Sequence, residues 1–287
     1  MRVELTVDSL PGCARPRGAR YHGAVHIIGV DWAASDERKC GLALAELRER
    51  DDARERDDAH LVILELLTGR DVAEKRSAPQ IIAWLRRHPD ALLAVDAPLG
   101  WPARLADGVA AHVAGEPLGV MEDARAFFTR ATDRFLQQTL RKTPLEVGAD
   151  RIARTAFSAL SLIRELREAT GLPLRLAWDA HERGVLEVYP AATLKVIAQG
   201  TKLPPYKKPE HLEARRVITK LLAPHVRFTE EQRQRAIGSD HLLDAMLCTL
   251  AGADFARGRV MPPPADLRAQ ARREGWIWVR PAPPAAG

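Results

Sequence analysis

Apolar runs of strand length recur in the first third of the chain, and polar residues or glycine bound them. Such runs are typical of buried β-strands. They predict four strands, at about residues 25–31, 40–47, 61–67 and 91–96. Residues 77–88 carry a helical pattern instead, with Ser77 as the expected N-cap. Short connections favour antiparallel pairing of the first three strands, and the helix allows the fourth strand to lie parallel to the first.

The remainder of the chain is predicted to be mainly helical. Residues 97–122 are expected to be a long irregular segment. Residues 123–142 and 149–171 predict helices, the second strongly amphipathic and ended by Gly171. The further predictions are a fifth strand at 184–190, helices at about 191–199, 210–222 and 239–256, and an edge strand at 275–280.

Two of the predicted strands end in the same way, on a lone carboxylate. Asp31 closes "IIGVD" and Asp96 closes "LLAVD". If these strands are parallel neighbours, both carboxylates lie at the carboxyl edge of the sheet, where open α/β sheets bind ligands. Two close anions raise each other's pKa unless a cation lies between them. Mg²⁺ prefers carboxylate oxygens, so the pattern predicts a Mg²⁺ or Mn²⁺ site.

Further acids lie where they could join this pair. Glu187 stands inside the apolar fifth strand, where a buried carboxylate needs a partner. Asp240 and Asp244 are spaced i, i+4 and share one face of the last long helix. Asp240 is slightly favoured as the principal ligand, because the first turn of a helix is where it would enter a site. Asp244 is the alternative or the second ligand.

The motifs in this order resemble the domain-of-unknown-function 429 family, whose members are predicted RNase H-fold nucleases. The resemblance covers about residues 25–257 and rests on seven segments in register. They read "GVDWAAS", "VDAPLGWP", "RATDRFL", "VGADRIARTAFSAL", "EVYPAATLK", "ARRVITKLL" and "SDHLLDAMLCTLA".

The resemblance implies an α/β fold with a mixed five-stranded sheet in the order 3-2-1-4-5, strand 2 being antiparallel to the others. Helices would flank the sheet, with a helical insertion at about residues 100–182. Asp31 would be the strand-1 acid, Asp96 the strand-4 acid, and Asp240 or Asp244 the acid of the last helix. Glu187, Arg130 and Asp133 would point toward the same cleft. The helix after strand 3 carries no acid, so either Glu187 takes that place or metal binding is incomplete.

Composition narrows the class of protein further. The chain has 287 residues, and 46% of them are apolar, enough for one domain with a sizeable core, expected at 23–280. Residues 1–22 lack the apolar core of a signal peptide and are expected to be a flexible basic extension, and residues 281–287 a tail. The longest apolar runs are too short for a membrane helix. Three widely spaced cysteines predict neither zinc site nor disulfide framework and fit a reducing cytoplasm.

These features together predict a metal-dependent nuclease that hydrolyses phosphodiester bonds by a two-metal carboxylate mechanism. The net charge of +5 is compatible with a nucleic-acid partner. Basic residues near the predicted acids are expected to contact phosphate: Arg130, Lys195, Lys207, Arg215 and Arg216.

Two other functions remain open at this stage. An actin-like phosphotransferase or nucleotide phosphohydrolase shares this fold, but Trp-Ala-Ala follows Asp31 where a glycine-rich phosphate turn would be needed. A catalytically inactive RNase H fold that binds nucleic acid or protein is the second alternative, and it should show no stabilisation by Mg²⁺.

Overall fold

We analysed a computed structural model of the chain. The structure describes residues 24–48, 60–110, 112–116, 123–148 and 150–282. The predicted extension at 1–22 and most of the predicted tail at 281–287 lie outside these residues.

A mixed sheet forms the centre of the molecule, and within the described ranges it has six strands. They are β1 (Val25–Asp31), β2 (Gly41–Arg48), β3 (His60–Thr68), β4 (Leu92–Asp96), β5 (Val185–Glu187) and β6 (Val226–Arg227). Their order across the sheet is β5-β4-β1-β2-β3-β6. Strand β2 is antiparallel to β1 and β3, whereas the pairs β1–β4, β4–β5 and β3–β6 are parallel.

The predicted count of five strands was wrong, because β6 adds a sixth beside β3. Its two residues pair with Leu61 and Val62 and are too few to show a periodic pattern. Strand β5 is shorter than predicted, because Pro190 already begins the next helix. The predicted edge strand at 275–280 is reduced to one parallel bridge between Ile277 and Glu187.

Helices cover both faces of the sheet. They are α1 (Ser77–Arg87), α2 (Ala103–Val109), α3 (Ala131–Leu140), α4 (Asp150–Thr170), α5 (Pro190–Ile197), α6 (Leu212–Leu222), α7 (Glu230–Gly238), α8 (Asp240–Ala256) and α9 (Arg268–Glu274). Helices α2, α3 and α4 lie between β4 and β5 in the chain. None of the described helices has the length and apolar character needed to cross a bilayer.

The helix predictions need several corrections. Helix α2 lies in the segment that was predicted to be irregular, and helix α9 was not predicted. Ser77 is the first residue of α1, and Arg76 is its N-cap. The predicted helix at 123–142 is two elements, since the backbone N–H of Arg130 donates to Asp133 and α3 begins only after it. Helix α7 was not predicted, because its largely polar sequence lacks an apolar stripe, although Thr229 and Gln232 form a capping box at its start.

The alternation of side chains along β1 and β4 determines which residues face which helices. On one face, Ile27 and Leu92 belong to a core formed with α5, α6 and α8. On the other, Ile28 and Leu93 pack with α1 and α4. Because side chains alternate along a strand, Asp31 and Asp96 point to the same face as Ile27 and Leu92, the face that α8 covers.

Candidate active site

Asp31 and Asp96 stand side by side at the carboxyl edge of the sheet. They are register partners in the parallel pair of β1 and β4, and each is the last residue of its strand. Asp31 is largely buried and Asp96 is partly accessible. The strand pairing and the shared alternation therefore bring both carboxylates together beneath helix α8.

Helix α8 adds a third carboxylate. Asp244 lies one turn into the helix and is fully buried. Each of Asp31, Asp96 and Asp244 offers one oxygen, and these oxygens all lie within 4.8 Å of one another. We call these three residues the acid cluster.

Two glycines allow α8 to approach the sheet closely enough for this contact. A Cβ atom on Gly29 of β1 would lie 2.4 Å from the carbonyl oxygen of Ala245. A Cβ atom on Gly41 of β2 would lie 1.9 Å from the carbonyl oxygen of His241. Both distances are shorter than any real contact, so a side chain at either position would displace the helix turn that carries Asp244.

Polar side chains surround the acid cluster. His241 Nδ1 lies 2.5 Å from Asp31 Oδ2, and because a carboxylate only accepts, this nitrogen carries the proton. The hydroxyl of Tyr206 donates to Asp244 Oδ1 over 2.8 Å. The ammonium of Lys207 forms an ion pair with Asp244 Oδ2. Lys207 thus supplies a cationic contact to an oxygen of the cluster.

The charges of the cluster perturb several pKa values. Burial and the charges of Asp31 and Asp244 raise the pKa of Asp96 well above its usual value. Burial raises the pKa of Asp244 to about 7, although Lys207 opposes this shift. The hydrogen bond to Asp31 raises the pKa of His241. Asp96 and Asp244 therefore bind a proton more tightly than a free carboxyl group does, as expected for buried neighbouring acids.

The two acids of α8 occupy different environments. Asp240 is the first residue of the helix and is partly exposed, and it is not a member of the acid cluster. Asp244 lies inside the cluster, one turn farther along α8. The sequence had slightly favoured Asp240, but the geometry brings Asp244 next to the strand-end carboxylates.

Glu187 makes a different partnership from the one predicted. Its two carboxylate oxygens accept from Arg130 over 2.6 and 2.8 Å, and one also accepts the backbone N–H of Leu99 over 3.0 Å. Asp133 accepts from the same guanidinium. Arg130, Asp133 and Glu187 are each at most 3% exposed. This buried network engages the carboxylate of Glu187 with Arg130, and Glu187 is not a member of the acid cluster.

The predicted phosphate contacts are also engaged with the protein. Arg215 is 1% exposed and donates to the backbone carbonyls of Tyr206, Lys208, Pro209 and Ile237. Arg215 thereby fixes the loop that delivers Tyr206 and Lys207 to Asp244. Lys195 is exposed and donates to the carbonyl of Arg141. Arg216 pairs with Glu213 on the surface of α6.

A cavity of 260 Å³ opens beside Asp31 and Asp96, and we call it the Trp32 pocket. Acidic and basic side chains at its wall are Asp31, Asp96, Glu187 and Arg130. Its other lining residues are Trp32, Ala97, Pro98, Pro144, Leu145, Ile152, Thr155, Val188, Tyr189 and Ile277. The cavity is therefore mainly apolar, with carboxylates on one side.

A family model described as "Protein of unknown function (DUF429)" matches residues 29–268. The chain belongs to the DUF429 family. The resemblance drawn from its sequence motifs is confirmed. No curated protein and no solved structure matches the chain.

Several residues of this DUF429 site were missed or only partly understood from its sequence. Lys207 was predicted as a phosphate contact, whereas Lys207 and Tyr206 both contact Asp244. His241 follows Asp240 directly and was not assigned a role, yet it contacts Asp31. The signal that could have identified His241 is its position three residues before Asp244, since i, i+3 residues are neighbours on a helix.

Proposed function

We propose that the chain is a divalent-metal-dependent nuclease with an RNase H-like fold, and that the acid cluster is its metal site. The observation that carries the proposal is the convergence of Asp31, Asp96 and Asp244 to within 4.8 Å. A parallel pair of central strands and a helix supply these carboxylates, which is the arrangement expected of an RNase H-like centre. The mixed sheet with antiparallel β2 is consistent with that fold.

The donor set fits Mg²⁺ or Mn²⁺. All three ligand atoms are carboxylate oxygens, the type that hard divalent cations prefer. Burial is the main cause that raises the pKa values of Asp96 and Asp244, and neighbouring carboxylates add to it, so a divalent ion would stabilise the charged forms of both groups. Asp31, Asp96 and Asp244 would hold the divalent ion, which would supply a water nucleophile at neutral pH and stabilise charge on the leaving oxygen.

The protein's own residues have separate roles in this proposal. His241 orients the Asp31 carboxylate through their hydrogen bond, and Tyr206 does the same for Asp244. Lys207 neutralises charge on Asp244 through their ion pair, and the side chain of Lys207 is half-exposed. The three cluster carboxylates suffice for one ion. A two-metal mechanism needs further ligands, and Asp240 is the nearest acid on the same helix face.

One observation favours the alternative of an inactive binding module. The ion pair between Lys207 and Asp244 already places a cation in the acid cluster. If this ion pair is permanent, the cluster is a structural feature and the chain binds its partner without catalysis. The two functions differ in a simple measurement, since only the nuclease is stabilised by Mg²⁺ or Mn²⁺.

The test compares the wild-type protein with Asp31→Asn and with the control Asp107→Asn. Asp107 is an exposed residue that pairs with Arg273. We expect Mn²⁺ binding in calorimetry and cleavage of labelled nucleic acids by the wild type and the control. Asp31→Asn should keep its fold and lose both activities. Mn²⁺ binding that survives in Asp31→Asn, or none in the wild type, would refute the proposed metal site.

A further inference from the structure

The Trp32 pocket lies directly beside the acid cluster, between the strand ends and the helical segment that joins β4 to β5. Asp31 and Asp96 form one side of the pocket, and Ile152 and Thr155 of α4 contribute to another. Anything that occupies this pocket is therefore in contact distance of the two strand-end carboxylates. The volume and the lining side chains of the pocket therefore indicate which part of a substrate could enter it.

Aromatic and aliphatic side chains form most of the wall. The indole N–H of Trp32 donates a hydrogen bond to the hydroxyl of Ser158 in α4 over 3.1 Å. The polar group of the indole is therefore hydrogen-bonded within the protein, and the rest of the ring is apolar. Tyr189 lines the same cavity and is half-buried. Leu145 is 69% exposed at the rim. Flat apolar walls of this kind suit the face of a planar ring.

The volume of the pocket limits the size of its occupant. At 260 Å³ it lies just below the range of about 300–1,000 Å³ that is typical of pockets for drug-sized ligands. A cavity of this volume can hold one nucleotide unit, but it is too small for several stacked units. In a duplex the faces of each base are covered by its neighbours, so only an unpaired base can offer its face to such walls.

The charges around the pocket indicate which part of a nucleotide enters it. The guanidinium of Arg130 lines the pocket, but Glu187 and Asp133 neutralise it. Lys142 lies outside, with its ammonium 5.8 Å from the centre of the Tyr189 ring. The interior thus offers apolar surface without net positive charge. A base fits there better than a phosphate, which belongs beside the acid cluster and its cation.

We propose that the Trp32 pocket receives one unpaired nucleobase, and hence that the substrate is single-stranded nucleic acid. This inference rests on the proposed function, because it uses the acid cluster as the place where the backbone is cleaved. A free nucleotide offers the same base and phosphate chemistry, so the experiment includes it as a separate arm.

The experiment measures binding by calorimetry in Ca²⁺, another cation that takes oxygen ligands. The probes are a short single-stranded oligonucleotide, its abasic counterpart, the matching duplex and AMP. We expect the single strand to bind best. Removing its bases should weaken binding by roughly tenfold, the effect of one lost stacking contact. Gel analysis of the recovered strands verifies that they remain intact.

Two charge-matched variants test the pocket itself. Leu145→Glu places a carboxylate at the rim, whereas Phe157→Glu places one on the surface of α4 at a residue that does not line the pocket. Both original residues are 69% exposed, so neither change should unfold the protein. We expect Leu145→Glu to lose roughly tenfold in affinity for the single strand, and Phe157→Glu to bind like the wild type.

The outcomes separate this inference from the proposed function. Three results would each overturn the base pocket. They are a duplex that binds as tightly as the single strand, an abasic strand that binds as tightly as the intact strand, and an unchanged affinity for the single strand in Leu145→Glu. If the same variants still bind Mn²⁺, the proposed metal site is retained even though the base pocket is overturned. Binding of AMP without binding of the strand would retain the base pocket and overturn the single-stranded substrate. Loss of Mn²⁺ binding in the wild type would overturn the proposed function.

Discussion

The carboxylates of the acid cluster are held together against their mutual repulsion. Asp96 and Asp244 both have raised pKa values, and burial is the largest cause for each. The free energy that holds them comes from the packing of β1, β4 and α8 and from the contacts of His241, Tyr206 and Lys207. Such a cluster costs stability whenever it is charged and has no metal ion.

The substitution Asp96→Asn tests this cost. Because the folded protein holds the Asp96 proton more tightly than the unfolded chain, the free energy of unfolding falls as pH rises through the raised pKa. Asn cannot ionise, so the metal-free variant should be more stable than the wild type at about pH 8, with a Tm higher by roughly 2–4 °C for each kcal/mol gained. The difference should shrink toward acidic pH. Thermal unfolding in a chelating buffer measures it, and a difference independent of pH would contradict the explanation.

At the level of secondary structure, the contact of α8 with the sheet determines whether the acid cluster forms. Gly29 and Gly41 permit the close approach, and Ile27 packs on the same face. The cluster is therefore sensitive to changes that never touch a carboxylate. A small shift of α8 would move Asp244 away from both strand-end acids.

Gly29→Ala should produce that shift. Its Cβ would meet the Ala245 carbonyl oxygen at 2.4 Å, so we expect a loss of about 1–3 kcal/mol in the free energy of unfolding and weaker Mn²⁺ binding. Gly238→Ala is the matched control, because a Cβ there meets nothing within 4 Å. Chemical denaturation and calorimetry measure the two effects. If Gly29→Ala bound Mn²⁺ as tightly as the control, the close approach of α8 to the sheet would not be required for metal binding.

The buried network of β5 and α3 leads to a separate prediction for Glu187→Gln. Removing this charge leaves Arg130 with an incomplete partnership, and breaking a buried ion pair costs about 3–5 kcal/mol. The variant should therefore unfold at lower denaturant concentration. Below its transition it should bind Mn²⁺ like the wild type, because Glu187 is paired with Arg130 and is not a member of the acid cluster. Lost Mn²⁺ binding in the folded variant would make Glu187 a ligand, as the sequence had predicted.

On the scale of the whole molecule, charge limits how nucleic acid could be bound. The net charge is +5, but Arg130 and Arg215, which were predicted to contact phosphate, are both buried. Arg130 pairs with acids and Arg215 with backbone carbonyls. Lys207 is held by Asp244. Among the residues that the structure describes, few basic groups near the acid cluster are thus available for phosphates, which favours contact with a short stretch of nucleic acid.

Salt dependence measures the number of those contacts. For a single strand, log affinity falls with log salt by about 0.7 for each phosphate contacted. With few available basic groups we expect a total slope of roughly −1 to −3, measured in Ca²⁺ by titration at several salt concentrations. Asp107→Asn should give the same slope, because its charge lies outside the site. A slope steeper than roughly −5 would require an extended basic surface.

Much of the central sheet could be predicted from the sequence because its signals are local. Strands β1 and β4 begin and end within one residue of their predicted bounds. Asp31 is the last residue of β1 and Asp96 is the last residue of β4, as predicted. An apolar run and the acid that ends it are adjacent in the chain. Strand β6 and helix α7 carried no such signal, since one is too short and the other too polar.

The partners of the site residues were decided only by the tertiary structure. Lys207 and Asp244 are 37 residues apart, Arg130 and Glu187 are 57 apart, and Asp31 and His241 are 210 apart. Periodicity shows which face of an element a side chain occupies, but not which distant charge it meets there. The sequence by itself thus determined where the acids lie, at strand ends and on one face of the last long helix. The packing of α8, α3 and the Tyr206 loop against the sheet decided that Asp244 joins the strand-end acids while Glu187 pairs with Arg130.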